Sequence, residues 1–266
     1  MTSQEQKARR FQELHQGKPF VIPNPWDSGS ARVLAALGFK ALASTSSGFA
    51  FTLGRLDGDV TLDAVVEHAE SLDRATDLPV SVDLENGYGD DPENAALAIS
   101  RVAGAGAVGG SIEDYDRKGR LYDLEHAVER IAAAVEAARE LDFPFTLTAR
   151  AENHIRGNPD LDDTITRLRA FEAAGTDVLY APGLRTTEEI RAVCEAVSKP
   201  VNVLARRDLS LAEIVEAGAQ RISVGGALTW TAVNAMTEAA TAIRDGGDFS
   251  GLGLSPPLDD WFAHGA

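Results

Sequence analysis

Short β-rich runs alternate with longer amphipathic segments along nearly the whole chain, and this alternation limits the possible fold more than any other feature. The β-rich runs are 20–23 (FVIP), 41–45 (ALAST), 80–83 (VSVD), 109–113 (GGSIE), 146–150 (TLTAR), 177–181 (DVLYA), 201–204 (VNVL) and 221–224 (RISV). Helical periodicity follows each of them, over about 28–37, 61–74, 92–104, 124–141, 161–174, 187–197, 211–217 and 231–244. Strands joined through helices run parallel, because the crossover returns the chain to the end of the sheet from which the previous strand started. Eight such units suffice to close a (β/α)8 barrel, and 266 residues suit one barrel domain spanning 1–266. Asp91-Pro92 reads as an N-cap and first helical turn, and Gly175 and Gly218 as helix stops. A helical N-terminal segment, 1–18, is expected to cover the bottom of the barrel. The tail, 246–266, is rich in Gly and Pro yet carries Phe249, Trp261 and Phe262, so it is expected to dock within the chain or on a neighbouring subunit.

Several function classes fall away. No G-x-G-x-x-G follows the first strand and there is no P-loop, which disfavours a nucleotide-binding doubly wound sheet. A formal net charge of −16 argues for no nucleic acid partner, since neutralising phosphates needs clustered Lys and Arg. No apolar run approaches the roughly 18 residues of a membrane span and no signal-like h-region opens the chain, so no membrane partner and a cytoplasmic location are expected. Cys194 is the only cysteine and reads as a small apolar helix residue, which excludes an intramolecular disulfide and a multi-cysteine metal site.

In such a barrel the chemistry is built at the C-terminal ends of the strands. Those ends are polar here: Asn24, Trp26 and Asp27 after the first, Thr45-Ser46-Ser47-Gly48 after the second, Asp83-Leu84-Glu85-Asn86 after the third, Glu113-Asp114 after the fourth and Arg150-Ala151-Glu152-Asn153 after the fifth. Asp83 and Glu85 are two apart, and in extended chain that spacing points both carboxylates to one face. With Glu113 they would repel one another unless a hard divalent cation joined them. An all-oxygen set points to Mg2+ first and Mn2+ next. Arg150 suits a carboxylate or phosphonate substrate; its bland alternative is a structural ion pair with Glu113 or Glu85. The Ser46-Ser47-Gly48 turn offers backbone N–H groups as an anion cradle, although Ser-Gly turns are common. The charged loop 114–123 is either a lid, bringing Arg117, Lys118 or Arg120 over the substrate, or a solvated connection. His154 reads as a loop or cap residue rather than a base.

These motifs, from Asn24-Pro25-Trp26-Asp27 to Val224-Gly225-Gly226-Ala227, make the chain resemble the isocitrate lyase/phosphoenolpyruvate mutase superfamily. The stretch Ala149–Gly157 (ARAENHIRG) is nearer the phosphoenolpyruvate mutase/phosphonopyruvate hydrolase branch. The resemblance implies a barrel with a C-terminal helix swapped between subunits, a homotetramer or homodimer, and an enolate-like intermediate formed from a small carboxylate or phosphonate substrate with Mg2+. By the same resemblance Ser47-Gly48 binds the substrate carboxylate and Asp57 belongs to the acidic site. Asp83 ligates the metal directly, Glu85 and Glu113 act mostly through water, Arg150 holds the substrate's carboxylate or oxyanion, and Asn202 lines the site. The departures are informative. The usual Asp-x-Asp is Asp83-Leu84-Glu85, and the lid has neither the Lys-x-Cys-Gly-His of the isocitrate and methylisocitrate lyases nor the Lys-Thr-Asn-Ser of the mutase. Thr45 stands where an aromatic residue often precedes the Ser-Gly turn. A lyase or hydrolase cleaving a C–C or P–C bond next to a 2-oxo or 2-hydroxy carboxylate is therefore expected, with Arg150, Lys118 and Glu113 as catalytic candidates. The alternatives are a phosphonomutase and a non-catalytic metal- and carboxylate-binding homologue.

Overall fold

A computed structural model describes residues 2–263. It contains eight parallel strands: β1 (Phe20–Ile22), β2 (Leu42–Ala43), β3 (Val80–Asp83), β4 (Gly109–Glu113), β5 (Thr146–Arg150), β6 (Val178–Tyr180), β7 (Val201–Leu204) and β8 (Arg221–Ser223). They pair in the order β1-β8-β7-β6-β5-β4-β3-β2. Between β1 and β2 the wall is drawn together by Ala43 N donating to Pro23 O at 3.1 Å. Asn24 reinforces this seam: its Nδ2 donates to Ser44 O, and its Oδ1 accepts from the backbone N–H groups of Val224 and Gly225. The result is the (β/α)8 barrel that the alternation demands.

Helix α1 (Gln4–Gln16) starts at a capping box formed by Ser3 and Gln6. It lays Phe11 and Ala8, both fully buried, across the bottom of the barrel against Ile22, Ala41 and Val108. Gly109 is required there, because a Cβ at that position would lie 2.8 Å from the Phe11 ring and 2.9 Å from Thr146 O. The outer ring comprises α2 (Ser28–Ala36), α4 (Leu62–Ala75), α5 (Pro92–Gly104), α6 (Leu124–Arg139), α7 (Leu161–Ala174), α8 (Thr187–Ala196) and α9 (Leu211–Glu216). Each turns an Ala, Val, Leu or Ile stripe onto the sheet. Asp91 caps α5 with Pro92 in its first turn, and Gly175 ends α7 in the left-handed region at φ 102°.

Two of the elements depart clearly from their expected bounds. Ser46-Ser47-Gly48 is not a free turn after a strand reaching residue 45; it is the first turn of a short helix, α3 (Ser46–Thr52), and β2 stops at Ala43. Thr45 is the N-cap, its hydroxyl accepting from Gly48 N at 3.4 Å. The second difference is at the C-terminus, where α10 runs over Ala227–Gly246, longer than the expected 231–244. Along its 20 residues only Thr229 is buried, while Trp230 and Met236 are exposed. Beyond it, α11 (Leu258–Ala263) returns to α2, where the Arg32 guanidinium lies 5.6 Å from the Phe262 ring centroid. No described helix is long and apolar enough to cross a membrane.

Candidate active site

Register brings the charged strand ends together. Asp83 lies opposite Ser111, and Glu113 opposite Arg150, so the ends of β3, β4 and β5 form one charged corner at the mouth. There Arg150 Nη1 is 2.9 Å from Asp83 Oδ1, and its Nη2 is 3.1 Å from Glu113 Oε2 and 2.8 Å from Glu152 Oε1. The guanidinium also sits 5.4 Å from the Tyr180 ring centroid. Arg156 supports the same acids, at 3.4 Å from Glu113 and 3.0 Å from Glu152, and stacks over Tyr115. The ion pair left open for Arg150 thus exists with Glu113 but not with Glu85.

Glu85 does not continue the strand's alternation. Its backbone enters the left-handed region at φ 47°, which few residues with a side chain adopt, and Tyr88 follows at φ 66°. Asp83 and Glu85 therefore face different compartments. Asp83 lines an inner cavity of about 180 Å³ that descends into the barrel past Ser81, Ser111, Tyr180 and Asn202. Glu85 lines an outer one of about 440 Å³ together with Glu113 and Arg117. Ser46, Asp57 and Arg150 border both.

Five carboxylates, on Asp57, Asp83, Glu85, Glu113 and Glu152, thus share three guanidinium groups. Burial, followed by repulsion from Asp83, pushes the Glu85 carboxyl up to about 7 against the pull of Arg117. Burial and the neighbouring Glu152 hold Glu113 well above the usual carboxylate range despite Arg150. Asp57 is raised by burial, which a hydrogen bond from Ser46 opposes. Burial works against the charge on Arg150, but Glu152, Asp83 and Glu113 outweigh it and keep the group protonated. The five carboxylates outnumber their three guanidinium partners, and the crowding is relieved by holding protons on Glu113 and, around neutral pH, on Glu85.

That donor chemistry fits a hard divalent cation: the side chains are buried oxygen donors, more numerous than the guanidinium groups around them. They do not form a ready cage, and among the described residues no three Asp, Glu, His or Cys side chains are arranged to hold an ion alone. Asp83 is already occupied by donors, accepting from Ser46 N at 3.2 Å, Glu85 N at 3.3 Å and Ser111 Oγ at 3.5 Å besides Arg150. Such a site suits an ion that keeps much of its water, as Mg2+ does.

The backbone cradle expected of Ser46-Ser47-Gly48 is partly spent, since the N–H of Ser46 serves Asp83 and that of Gly48 serves Thr45. Ser47 Oγ is 3.2 Å from Thr45 Oγ1, and Ser47 still borders the inner cavity. Gly48 is needed for packing, because a Cβ there would come within 2.6 Å of both Thr229 Oγ1 and Thr45 Cγ2. Asn202 reaches the inner cavity from β7 and donates to Ser223 Oγ at 3.0 Å.

The loop 114–123 folds as a small hairpin closed by a Tyr115–Leu121 bridge. Asp114 roots it through Arg167 Nη1 at 3.0 Å and Glu152 N at 2.8 Å. Asp116 Oδ1 accepts from the backbone N–H groups of Lys118 and Arg120, and this turns Lys118 outward to the exposed tip. The hairpin cation beside the acids is Arg117, 3.8 Å from Glu85 Oε2, with Tyr88 beneath it. His154 is buried behind the mouth against Thr164. Glu152 was read from sequence only as one of the polar residues after the fifth run, and Arg156 and Tyr180 were given no role. The available signal was the i, i+4 spacing of Glu152 and Arg156 directly after a strand end.

Comparison with known proteins agrees with this geometry. Residues 11–244 match the family model of phosphoenolpyruvate phosphomutase. A candidate lyase/mutase of Burkholderia cenocepacia superposes with a TM-score of 0.94 at 50% identity, over 98% of this chain and 96% of the other. Oxaloacetate decarboxylase of Bradyrhizobium diazoefficiens is 32% identical, over 83% of this chain and 79% of its own. The structure of 2,3-dimethylmalate lyase, a PEP mutase/isocitrate lyase superfamily member, matches with a TM-score of 0.86 at 27% identity, over 99% of this chain and 95% of that one.

Proposed function

The chain belongs to the phosphoenolpyruvate phosphomutase family, within the isocitrate lyase/phosphoenolpyruvate mutase superfamily, and from that premise we propose that it is a Mg2+-dependent lyase or hydrolase. Its substrate is a small 2-oxo or 2-hydroxy carboxylate, or the corresponding phosphonate, cleaved at the C–C or P–C bond next to that group through an enolate-like intermediate. The observation that carries this reading is Arg150, held among three carboxylates from neighbouring strand ends beside two further acids. Asp83 is the residue to hold the ion directly, with Glu85 and Glu113 reaching it through water. When bound, Mg2+ supplies Lewis-acid stabilisation of charge growing on the substrate oxygen.

The chain's own groups do the rest. Arg150, fixed by its three acids, presents N–H groups to the substrate carboxylate or to the developing enolate oxygen. Glu113, which burial and Glu152 bias toward the protonated carboxyl, is placed to exchange a proton with the reacting carbon or leaving group. The hairpin brings Arg117 over the outer compartment, beside Glu85. A screen of oxaloacetate, phosphonopyruvate, methylisocitrate and substituted malates with Mg2+, detecting pyruvate, glyoxylate or phosphate, tests the reading. Metal-dependent turnover of at least one supports it, and no product from any would count against it. Following phosphoenolpyruvate in the same screen exposes a phosphonomutase, which would isomerise phosphonopyruvate to it without releasing phosphate or pyruvate.

The bare α10 supports a homodimer or homotetramer in which this helix is exchanged between subunits, covering Trp230 and Met236, which one chain leaves exposed.

A further inference from the structure

The barrel interior holds a second cation that the reaction above does not use. Arg221 opens β8, and its side chain turns into the lumen, only 5% exposed. Nε donates to Asn202 Oδ1 at 2.8 Å, Nη2 to Thr148 Oγ1 at 3.0 Å, and Nη1 lies 3.3 Å from His15 Nε2. His15 Nδ1 is 2.8 Å from Phe11 O, a pure acceptor, so the proton is on Nδ1 and Nε2 receives the Arg221 hydrogen. Burial and Arg221 push His15 down to about 3, so it is neutral at ordinary pH. Burial lowers the guanidinium only to about 10, which leaves it charged. Every hydrogen-bond partner of this cation is therefore neutral.

The other buried cations differ. Lys7 is paired with Asp73, Arg167 with Asp114 and Asp163, and Arg150 with three carboxylates. Arg130 spends its N–H groups on the backbone carbonyls of Asn86, Gly89, Asp90 and Asp91 and borders no cavity described above. Arg221 has three N–H groups engaged of the five a guanidinium carries, and it borders the inner cavity below Asp83 and Arg150. The walls between these levels set Ser81, Ser111, Tyr180 and Ser223 among apolar Ile22, Val82 and Leu204, where such barrels usually stack branched apolar layers throughout. A buried charge without a countercharge is costly, and an anion in the cavity removes that cost.

We propose that Arg221 anchors an anion subsite inside the barrel, beneath the Asp83–Arg150 centre, that takes one carboxylate-sized monoanion. That anion is either the far carboxylate of the substrate or a free small anion such as a halide or formate. The subsite stands independently of the reaction; only its assignment to the substrate rests on the mouth being a carboxylate site.

Two measurements on the intact protein test it. Bromide soaked into crystals, located by anomalous scattering, should occupy the lumen within hydrogen-bond distance of Arg221; bromide found elsewhere but absent there overturns the proposal. Calorimetric titration with Mg2+ should compare oxalate, malonate, succinate and glutarate with pyruvate as the single-carboxylate reference. If the substrate supplies the anion, one of the longer dicarboxylates binds about 10- to 100-fold more tightly than pyruvate, the range expected of a charge-assisted hydrogen bond. That advantage is lost in Arg221→Met, partly kept in Arg221→Lys, and bound dicarboxylate expels the bromide. If a free anion is the occupant, bromide remains with dicarboxylate bound and is lost in Arg221→Met. Bromide binding unchanged in Arg221→Met sinks the subsite. Failure of pyruvate and oxalate to bind at all, with bromide still on Arg221, instead refutes the carboxylate reading of the mouth.

Discussion

Replacing Arg150 with Met keeps most of the side-chain volume and removes the charge that three carboxylates share. Asp83, Glu113 and Glu152 have side chains 16%, 9% and 0% exposed, so they cannot recover by turning to water. Breaking a buried ion pair from one side costs about 3–5 kcal/mol, because the other charge remains desolvated and unpaired. For a chain of 266 residues that is a fall in Tm of roughly 5–9 °C. Without the guanidinium the Glu113 carboxyl, already held above its unfolded value by burial and Glu152, is raised further. The folded variant then takes up protons more readily than the unfolded chain, and its deficit against the wild type shrinks as pH falls toward the ordinary carboxylate range. Urea unfolding followed by tryptophan fluorescence at several pH values measures this directly. Adding Glu152→Gln should return part of the loss, since the two sites are in contact and their effects do not add. Activity should fall by about 10³-fold or more, as the loss of a transition-state donor does. An Arg150→Met protein as stable as the wild type at every pH would refute the view that the guanidinium holds these buried acids together.

Other outcomes follow from separate parts of the molecule. His68 is buried and stacked on Phe49 at 3.9 Å, and burial lowers it to about 4, so it contributes stability above its unfolded pKa of about 6.5 that is lost as pH falls toward about 4. His68→Leu should flatten this part of the stability–pH curve, by up to about 3 kcal/mol on the shift involved. Arg117→Ala should lower kcat by about 10²-fold, whereas Lys118→Ala, at the exposed hairpin tip, should change it little; the reverse order in steady-state assays would restore Lys118 as the lid cation. Deleting 246–266 removes α11 and the end of α10 and should weaken assembly in sedimentation equilibrium, while a full-length chain that is monomeric at micromolar concentration would contradict helix exchange.

The barrel was legible because its signal is repeated: each switch from β-rich run to helical period states the same unit, and local errors of a residue or two leave the topology intact. The meeting of Asp83, Glu113 and Arg150 was legible for a related reason, since each is the last residue of a β-rich run and strand ends converge in this fold. What escaped depends on tertiary partners. The Ser46-Ser47-Gly48 turn becomes a helix because Thr45 caps it and Trp26 and Thr229 close around Gly48, contacts no local pattern announces. Glu85 leaves its expected face because the chain turns left-handed there without a glycine to signal it. Lys118 points away because Asp116 captures the backbone on either side of the hairpin tip. Arg221 looked like an ordinary start to an apolar strand, and only the register that places Asn202 beside it exposes a charge inside the barrel.

The most direct test of the functional account is calorimetric titration of oxalate into the protein with and without Mg2+. Oxalate is a planar dianion with oxygens on adjacent carbons, and it mimics the enolate of a pyruvate-type group. The account predicts tight binding only with Mg2+ present, lost in Asp83→Ala although that variant stays folded, because the metal and Arg150 together hold the enolate oxygens. Equal oxalate affinity without the metal, or an Asp83→Ala protein that binds oxalate as the wild type does, would contradict it.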